Sequence, residues 1–158
     1  MKLREIVVEE AILPNLTATG RDDAIREIIG ALVEAGALNE RQRAEFEKAV
    51  ITRENRASTG LGHGVAVPHV KHKDIDTLRI AIAISRGGVD FNALDRKPVY
   101  SVFLLLSPAD KPEDHLDAMQ TIVENLSHDT FRRFLRQAKS VQEVLTLLTE
   151  ADDKQLVH

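Results

Sequence analysis

The chain has 158 residues and a mass of 17.6 kDa, which suits one globular domain. Hydrophobic residues make up 43% and charged residues 29%, enough apolar surface to offset chain entropy and to exclude a disordered chain. A formal net charge of -4 argues against broad attraction to a nucleic-acid backbone, and the absence of cysteine excludes disulfides, thiolate metal sites and a cysteine nucleophile. Apolar runs are far shorter than the roughly 20 residues that cross a bilayer, and Met1-Lys2-Leu3-Arg4-Glu5 lacks the apolar core of a secretion signal. The expectation is a soluble, cytoplasmic protein with no membrane insertion and no nucleic-acid partner. With no tryptophan and one tyrosine, a binder built on stacked rings is poorly supplied.

Ile6-Val7-Val8 and Ala11-Ile12-Leu13 are short β-branched runs closed by Pro14, and at least one reads as a strand. Thr19 is placed to cap a helix through Ile25, Ile28, Ile29, Leu32 and Val33, which ends at Gly36. Asn39 and Gln42 form a second capping-box pattern, ahead of Phe46, Ala49 and Val50 on a helix reaching Thr52. From Arg53 to Gly64 periodicity disappears and Gly60, Gly62 and Gly64 punctuate a shaped loop. Val65-Ala66-Val67 is a short strand stopped by Pro68, so that His69 falls just past its end.

Two further strands are expected over 78–85 and 99–106, the second apolar enough to lie centrally with both faces covered. Turn chemistry marks Arg86-Gly87-Gly88 and 92–98. A helix starts near Pro112, with His115 in its first turns and Leu116, Met119, Ile122, Val123 and Leu126 along it. Ser127 or Asp129 caps a short helix holding Phe131, Phe134 and Leu135, and Ser140 caps a last one through Leu148. The order describes one α/β layered domain over 1–150 and a polar tail over 151–158.

His63, His69 and His72 crowd together, and two chemistries compete for them. Three imidazoles can hold a metal, but the H-E-x-x-H pattern and cysteine are both absent. Alternatively one neutral imidazole accepts a phosphoryl group covalently. The flanking loop then supplies glycine N–H groups, the Ser58 and Thr59 hydroxyls and the Arg53 guanidinium to offset anionic charge. The G-x-x-x-x-G-K-[ST] spacing of a nucleotide-binding loop is missing.

The string Ser58-Thr59-Gly60-Leu61-Gly62-His63-Gly64-Val65-Ala66-Val67-Pro68-His69 closely resembles the active-site segment of the enzyme IIA domains of the fructose/mannitol and nitrogen-regulatory type in the bacterial phosphoenolpyruvate-dependent phosphotransferase system. Arg53-Glu54, Phe91-Asn92-Ala93-Leu94-Asp95 with Pro98-Val99, and Leu106-Ser107-Pro108-Ala109-Asp110 leading to His115-Leu116 follow in family order. The likeness runs roughly from Leu3 to Leu148. It implies a mixed β-sheet flanked by helices on both faces, with His69 as phosphoryl acceptor from a phosphohistidine on an HPr-like carrier. His115 is implied to hold the transferred group and Arg53 to offset its charge. Ser58, Thr59, Gly60, Gly62, His63 and Gly64 form the phosphoryl-binding loop, and no metal or cofactor is required.

A IIB component or a regulatory protein would take the signal onward. The chain carries no IIB-type cysteine and no membrane segment, which favours the free-standing nitrogen-regulatory subtype over a sugar transporter component. Two departures from the family pattern stand out. Val70 precedes Lys71, His72 and Lys73 where a small residue is usual, giving a bulkier and more positive rim. His63 stands where another polar residue is common, either touching phosphate or capping the loop. His128 reads as a helix-end residue rather than a catalytic one.

Overall fold

The structure is a computed structural model that describes residues 1–154; the last four residues of the expected tail lie outside the described residues. In chain order the elements are α1 (Leu3–Ile6), β1 (Val7–Leu13), α2 (Arg21–Glu34), α3 (Arg43–Arg56), β2 (Gly60–Gly62), β3 (Val65–Ala66), β4 (His69–His72), β5 (Arg79–Val89), β6 (Val99–Pro108), α4 (Pro112–Leu126), α5 (Asp129–Gln137) and α6 (Val141–Asp152). All but Tyr100 of β6 is buried, as its almost continuous apolar run predicts for a strand covered on both faces. It pairs antiparallel with β5 and parallel with β3 and β4, while β1 extends the sheet parallel to β5. The result is a six-stranded mixed sheet.

Each face of that sheet carries its own core, because alternate residues of a strand point to opposite sides. Val102, Leu104 and Leu106 join Ile25, Ile28, Ile29, Leu32, Phe46 and Val50 of α2 and α3. Phe103 and Leu105 join Ile122, Phe131, Leu135, Val144 and Leu148 of α4, α5 and α6. The stripe of α2 is therefore core, whereas on α4 Ile122 and Leu126 are buried but Leu116 and Val123 face outward; the expectation of helices on both faces holds.

Several boundaries differ from the sequence reading. Gly20, not Thr19, is the N-cap of α2; Glu27, about two turns inside, accepts instead from the Thr17 and Ala18 N–H groups at 3.1 and 2.9 Å. Asn39 and Gln42 do form their box, around a single 3-10 turn that leads into α3. α3 then continues to Arg56, so Arg53 sits on its last turn rather than in the loop. Gly87 and Gly88 do not end β5 but make an irregularity inside it, between Ile84 and Val89, with Gly88 at a φ of 94° that glycine adopts freely. His128 is the N-cap of α5, where Ser127 or Asp129 was expected. α6 runs through Asp152, whose carboxylate accepts from the Leu3 and Arg4 N–H groups at 2.7 and 2.9 Å, so the helix enters the expected tail.

His69 lies inside the sheet rather than past a strand end. Val65 pairs with Ser101, Ala66 with Val102 and His69 with Leu105, one unbroken register along β6. Pro68 lacks the N–H that a ladder needs, yet its carbonyl accepts from Leu105 at 2.9 Å. The proline thus splits one line of strand in two, β3 and β4, without shifting its register on β6.

Candidate active site

The proline break determines the aim of His69. Its Nδ1 lies 2.8 Å from the carbonyl oxygen of Val67; a carbonyl only accepts, so Nδ1 carries the proton and Nε2 keeps its lone pair in the neutral ring. Burial pushes the His69 pKa below its ordinary value. The Val67 hydrogen bond and Glu54 oppose that shift, whereas the positive charges of Arg53 and Lys71 add to it. A neutral imidazole with a bare Nε2 is consequently the dominant form at pH 7.

His115, from the first turns of α4, comes within 5.4 Å of His69 between ring centroids, tilted by 48°. Its Nδ1 sits 2.7 Å from Oγ of Ser107, a fully buried residue near the end of β6. Burial, followed by the neighbouring His69 and Lys71, lowers its pKa to about 4. The sequence brings Ser107 forward only as part of a strand-breaking segment. A hydroxyl at the buried end of a largely apolar central strand is the signal that marks it, since such a group needs a partner inside the protein.

Arg53 is near enough for its charge to act on His69, and it donates from Nη1 to the Ala57 carbonyl at 3.1 Å. Its neighbour Glu54 is only 1% exposed. The Glu54 carboxylate accepts from the Thr59 N–H at 2.6 Å and from the Thr59 hydroxyl at 2.8 Å. The Thr59 carbonyl in turn accepts from Val67 N–H at 3.1 Å. A continuous path therefore leads from the end of α3 through Glu54, Thr59 and Val67 to Nδ1 of His69. Glu54 was part of a sequence match without a role; its burial and its bonds supply one.

The remaining loop residues divide. The Ser58 hydroxyl donates to Phe91 O at 3.0 Å and accepts from Gly60 N–H at 3.0 Å, which shapes the loop from inside. Gly60 is packed so closely on Ala93 that a Cβ there would lie 2.7 Å from the Ala93 Cβ. Gly62, His63 and Gly64 take φ of 90°, 58° and 78°, with His63 and Gly64 as the tight turn between β2 and β3. That turn abuts Tyr100, whose N–H donates to Gly64 O at 2.8 Å. Tyr100 is five residues along β6 from the partner of His69, roughly 17 Å in strand length. Thus His69, His115 and Arg53 converge, Ser58, Thr59 and Gly60 support them from beneath, and Gly62, His63 and Gly64 stand apart.

The histidine cluster read from the sequence does not converge either. His72 faces away from His69 on β4 and stacks on Phe46 of α3 at 4.4 Å, so it is not on the rim. Its Nδ1 accepts from Asp74 N–H at 3.0 Å, leaving Nε2 to donate to Glu45 at 3.2 Å. Lys71, alternating with His72, shares the face of His69 and supplies the positive rim.

Comparison with known proteins extends this picture. Residues 5–151 match the family described as phosphoenolpyruvate-dependent sugar phosphotransferase system, EIIA 2. The chain belongs to that family, and with it to the phosphotransfer and regulatory components of the phosphotransferase system. It is similar to the nitrogen regulatory protein of Bradyrhizobium diazoefficiens, 33% identical over 94% of the chain and 95% of the relative. It also resembles the fructose-specific EIIABC component of Bacillus subtilis, 30% identical over 96% of the chain but only 24% of that longer protein. The crystal structure of nitrogen regulatory protein IIA-Ntr from Neisseria meningitidis superposes with a TM-score of 0.83, at 29% identity, covering 92% of the chain and 98% of that structure. Among the described residues no helix is long and apolar enough to cross a membrane.

Proposed function

We propose that the protein is a cytoplasmic phosphocarrier that accepts a phosphoryl group on Nε2 of His69 from the phosphohistidine of a small HPr-like protein. The observation that carries this reading is the hydrogen bond from His69 Nδ1 to Val67 O, beside a second imidazole and a guanidinium. Nε2 attacks phosphorus in line, the N–P bond of the donor breaks, and the donor imidazole leaves with that electron pair. As Nε2 gives up its lone pair, positive character grows on the ring, and the Val67 carbonyl stabilises it through Nδ1–H.

Arg53 offsets charge on the equatorial oxygens, where positioning and electrostatics do most of the work of phosphoryl transfer. His115 stays neutral and contributes a donor rather than a charge. With Nδ1 accepting from the Ser107 hydroxyl, its Nε2–H is free to donate to the phosphoryl group. The N–P bond so formed is reactive enough to pass the group on. Leu116, 57% exposed beside His115, and Val123, 40% exposed two turns later on α4, give the site an apolar border suited to a protein donor.

The acceptor divides into two readings. The EIIABC name of the Bacillus relative suits transfer to a IIB component. Full-length similarity to a nitrogen regulatory protein favours a regulatory output instead, in which phosphorylation adds about two negative charges and changes affinity for a protein partner. The test is to mix the chain with phosphoenolpyruvate, enzyme I and an HPr-type carrier. An acid-labile, alkali-stable phosphate is expected on His69 and absent from His69→Ala; normal labelling of that variant overturns the assignment.

A further inference from the structure

Between β6 and α5 lies a cavity of about 480 Å³ that the phosphoryl relay leaves unused. Its lining includes neither His69, His115 nor Arg53. It opens beside Ser101, four residues along β6 from the partner of His69, roughly 13 Å away in strand length. Arg132, Arg133 and Arg136 of α5 form its walls, and Val65 and Ser101 line the sheet side.

Three guanidinium groups around one cavity are unexpected in a chain whose net charge is -4. Asp129 is the acidic residue of the lining, and it reaches Arg132 Nη2 and Arg133 Nη1 at 3.4 Å each, longer than the ~2.7–2.9 Å of a strong ionic hydrogen bond. One carboxylate is thus loosely shared by two cations. The arginines are nevertheless held in position. Arg132 donates from Nη1 to Leu126 O at 2.8 Å, and Arg136 lies over the Tyr100 ring at 3.5 Å. Such fixed forks are suited to binding oxyanions.

Ser101 supplies a second, independent observation. It is only 2% exposed, and strand alternation puts it on the face of Phe103, which stacks on Phe131 of α5 at 6.4 Å. Among the described residues its hydroxyl makes no hydrogen bond, and since no side-chain oxygen there is both sealed from solvent and unpaired, it is reached through the cavity that the residue lines. A hydroxyl open to a cavity is free to donate to its occupant, and an oxygen of a bound anion would accept from it.

We propose that this cavity is a second anion site, which binds a small non-aromatic organic phosphate. Its volume falls within the ~300–1,000 Å³ of small-molecule pockets, more room than a bare phosphate fills. One face of Tyr100 is already covered by Arg136, and the other ring of the lining is the small His63 imidazole, a poor platform for a nucleobase. The ligand class is therefore an aliphatic phosphate ester rather than a nucleotide.

The experiment is an amide NMR titration of the unphosphorylated full chain with glucose 6-phosphate, with inorganic phosphate and AMP as comparisons. Saturable shifts are expected at His63, Gly64, Ser101 and Arg136 with glucose 6-phosphate. Affinity should fall at least tenfold in Arg133→Gln and in Arg136→Gln, and several-fold in Ser101→Ala. Arg133 is 56% exposed in its side chain, so its variant tests the site without threatening the fold. Equal affinity for inorganic phosphate means an adventitious ion only and overturns the proposal, as does tighter binding of AMP, a shift pattern centred on His69 and His115, or no shift. None of these outcomes requires phosphoryl transfer, so failure here leaves the assignment of His69 standing.

Discussion

Replacing Thr59 by valine removes one hydroxyl and almost no volume. The carboxylate that hydroxyl serves, Glu54, is 1% exposed and accepts from Thr59 Oγ1 at 2.8 Å and Thr59 N at 2.6 Å. In Thr59→Val the backbone bond survives while Oε1 is left buried without its donor. Hydrogen bonds to charged groups contribute about 1.5–3 kcal/mol, and water has little access to replace the lost one. For a domain of this size each kcal/mol moves the melting temperature by roughly 2–4 °C, so a drop of about 3–12 °C is expected by calorimetry, with Thr59→Ser restoring most of it. The same substitution loosens the path from Thr59 O through Val67 to His69 Nδ1. Phosphoryl acceptance from the carrier should accordingly slow in Thr59→Val and recover in Thr59→Ser. A valine variant within about 0.5 kcal/mol of the parent, the ordinary range of an inconsequential surface change, would refute the view that Glu54 depends on this donor.

Ser107→Ala should reduce the rate of phosphoryl acceptance about tenfold or more, while urea denaturation shows a loss of only ~0.5–1.5 kcal/mol for the neutral hydrogen bond; an unchanged rate means that Ser107 does not set the His115 tautomer. The His115 pKa of about 4 predicts a pH-dependent stability. The unfolded chain binds the proton first, so the contribution is complete above about pH 6.5 and is lost as pH falls towards 4, on the order of 1–2 kcal/mol after allowing for partial solvent screening. Urea curves at pH 7.5 and 4.5 should show a smaller acid loss in His115→Gln than in the parent, and equal losses contradict the depressed pKa. Gly60→Ala forces a Cβ to 2.7 Å from Ala93 Cβ and 2.9 Å from its Cα, an overpacking expected to cost about 1–3 kcal/mol; Gly87→Ala, with nothing within 4 Å, is the matched control and should be near neutral.

Local chemistry made much of this protein legible before any fold was known. The three- and four-residue apolar spacing of α2 and α4, the Asn39–Gln42 box, the Ser140 cap and the largely apolar run of β6 each report interactions between near neighbours, and each element is present in the structure. The proposed acceptor motif was legible for a similar reason, since its proline, glycines and histidine lie within one short stretch. What the stretch could not reveal was its division. Read along the chain, residues 58–64 look like one loop around one anion, whereas Gly62, His63 and Gly64 turn away towards Tyr100 because β2 must fold back on β3.

The partners of the site came only from the sheet. His69 and His115 are separated by two strands and a helix start, and they meet because β4 and β6 run parallel in one register and α4 returns over the end of β6. Ser107 and Ser101 are equally inconspicuous in the sequence; alternation on β6 puts both on the face of α4 and α5, and their separation along the strand sets one beneath His115 and the other beside the arginines of α5. Side-chain identity and short-range spacing thus determined most elements and the candidate imidazole. Convergence depends on strand register and on which face of a pleated sheet each residue occupies, a long-range property that distant backbone hydrogen bonds decide.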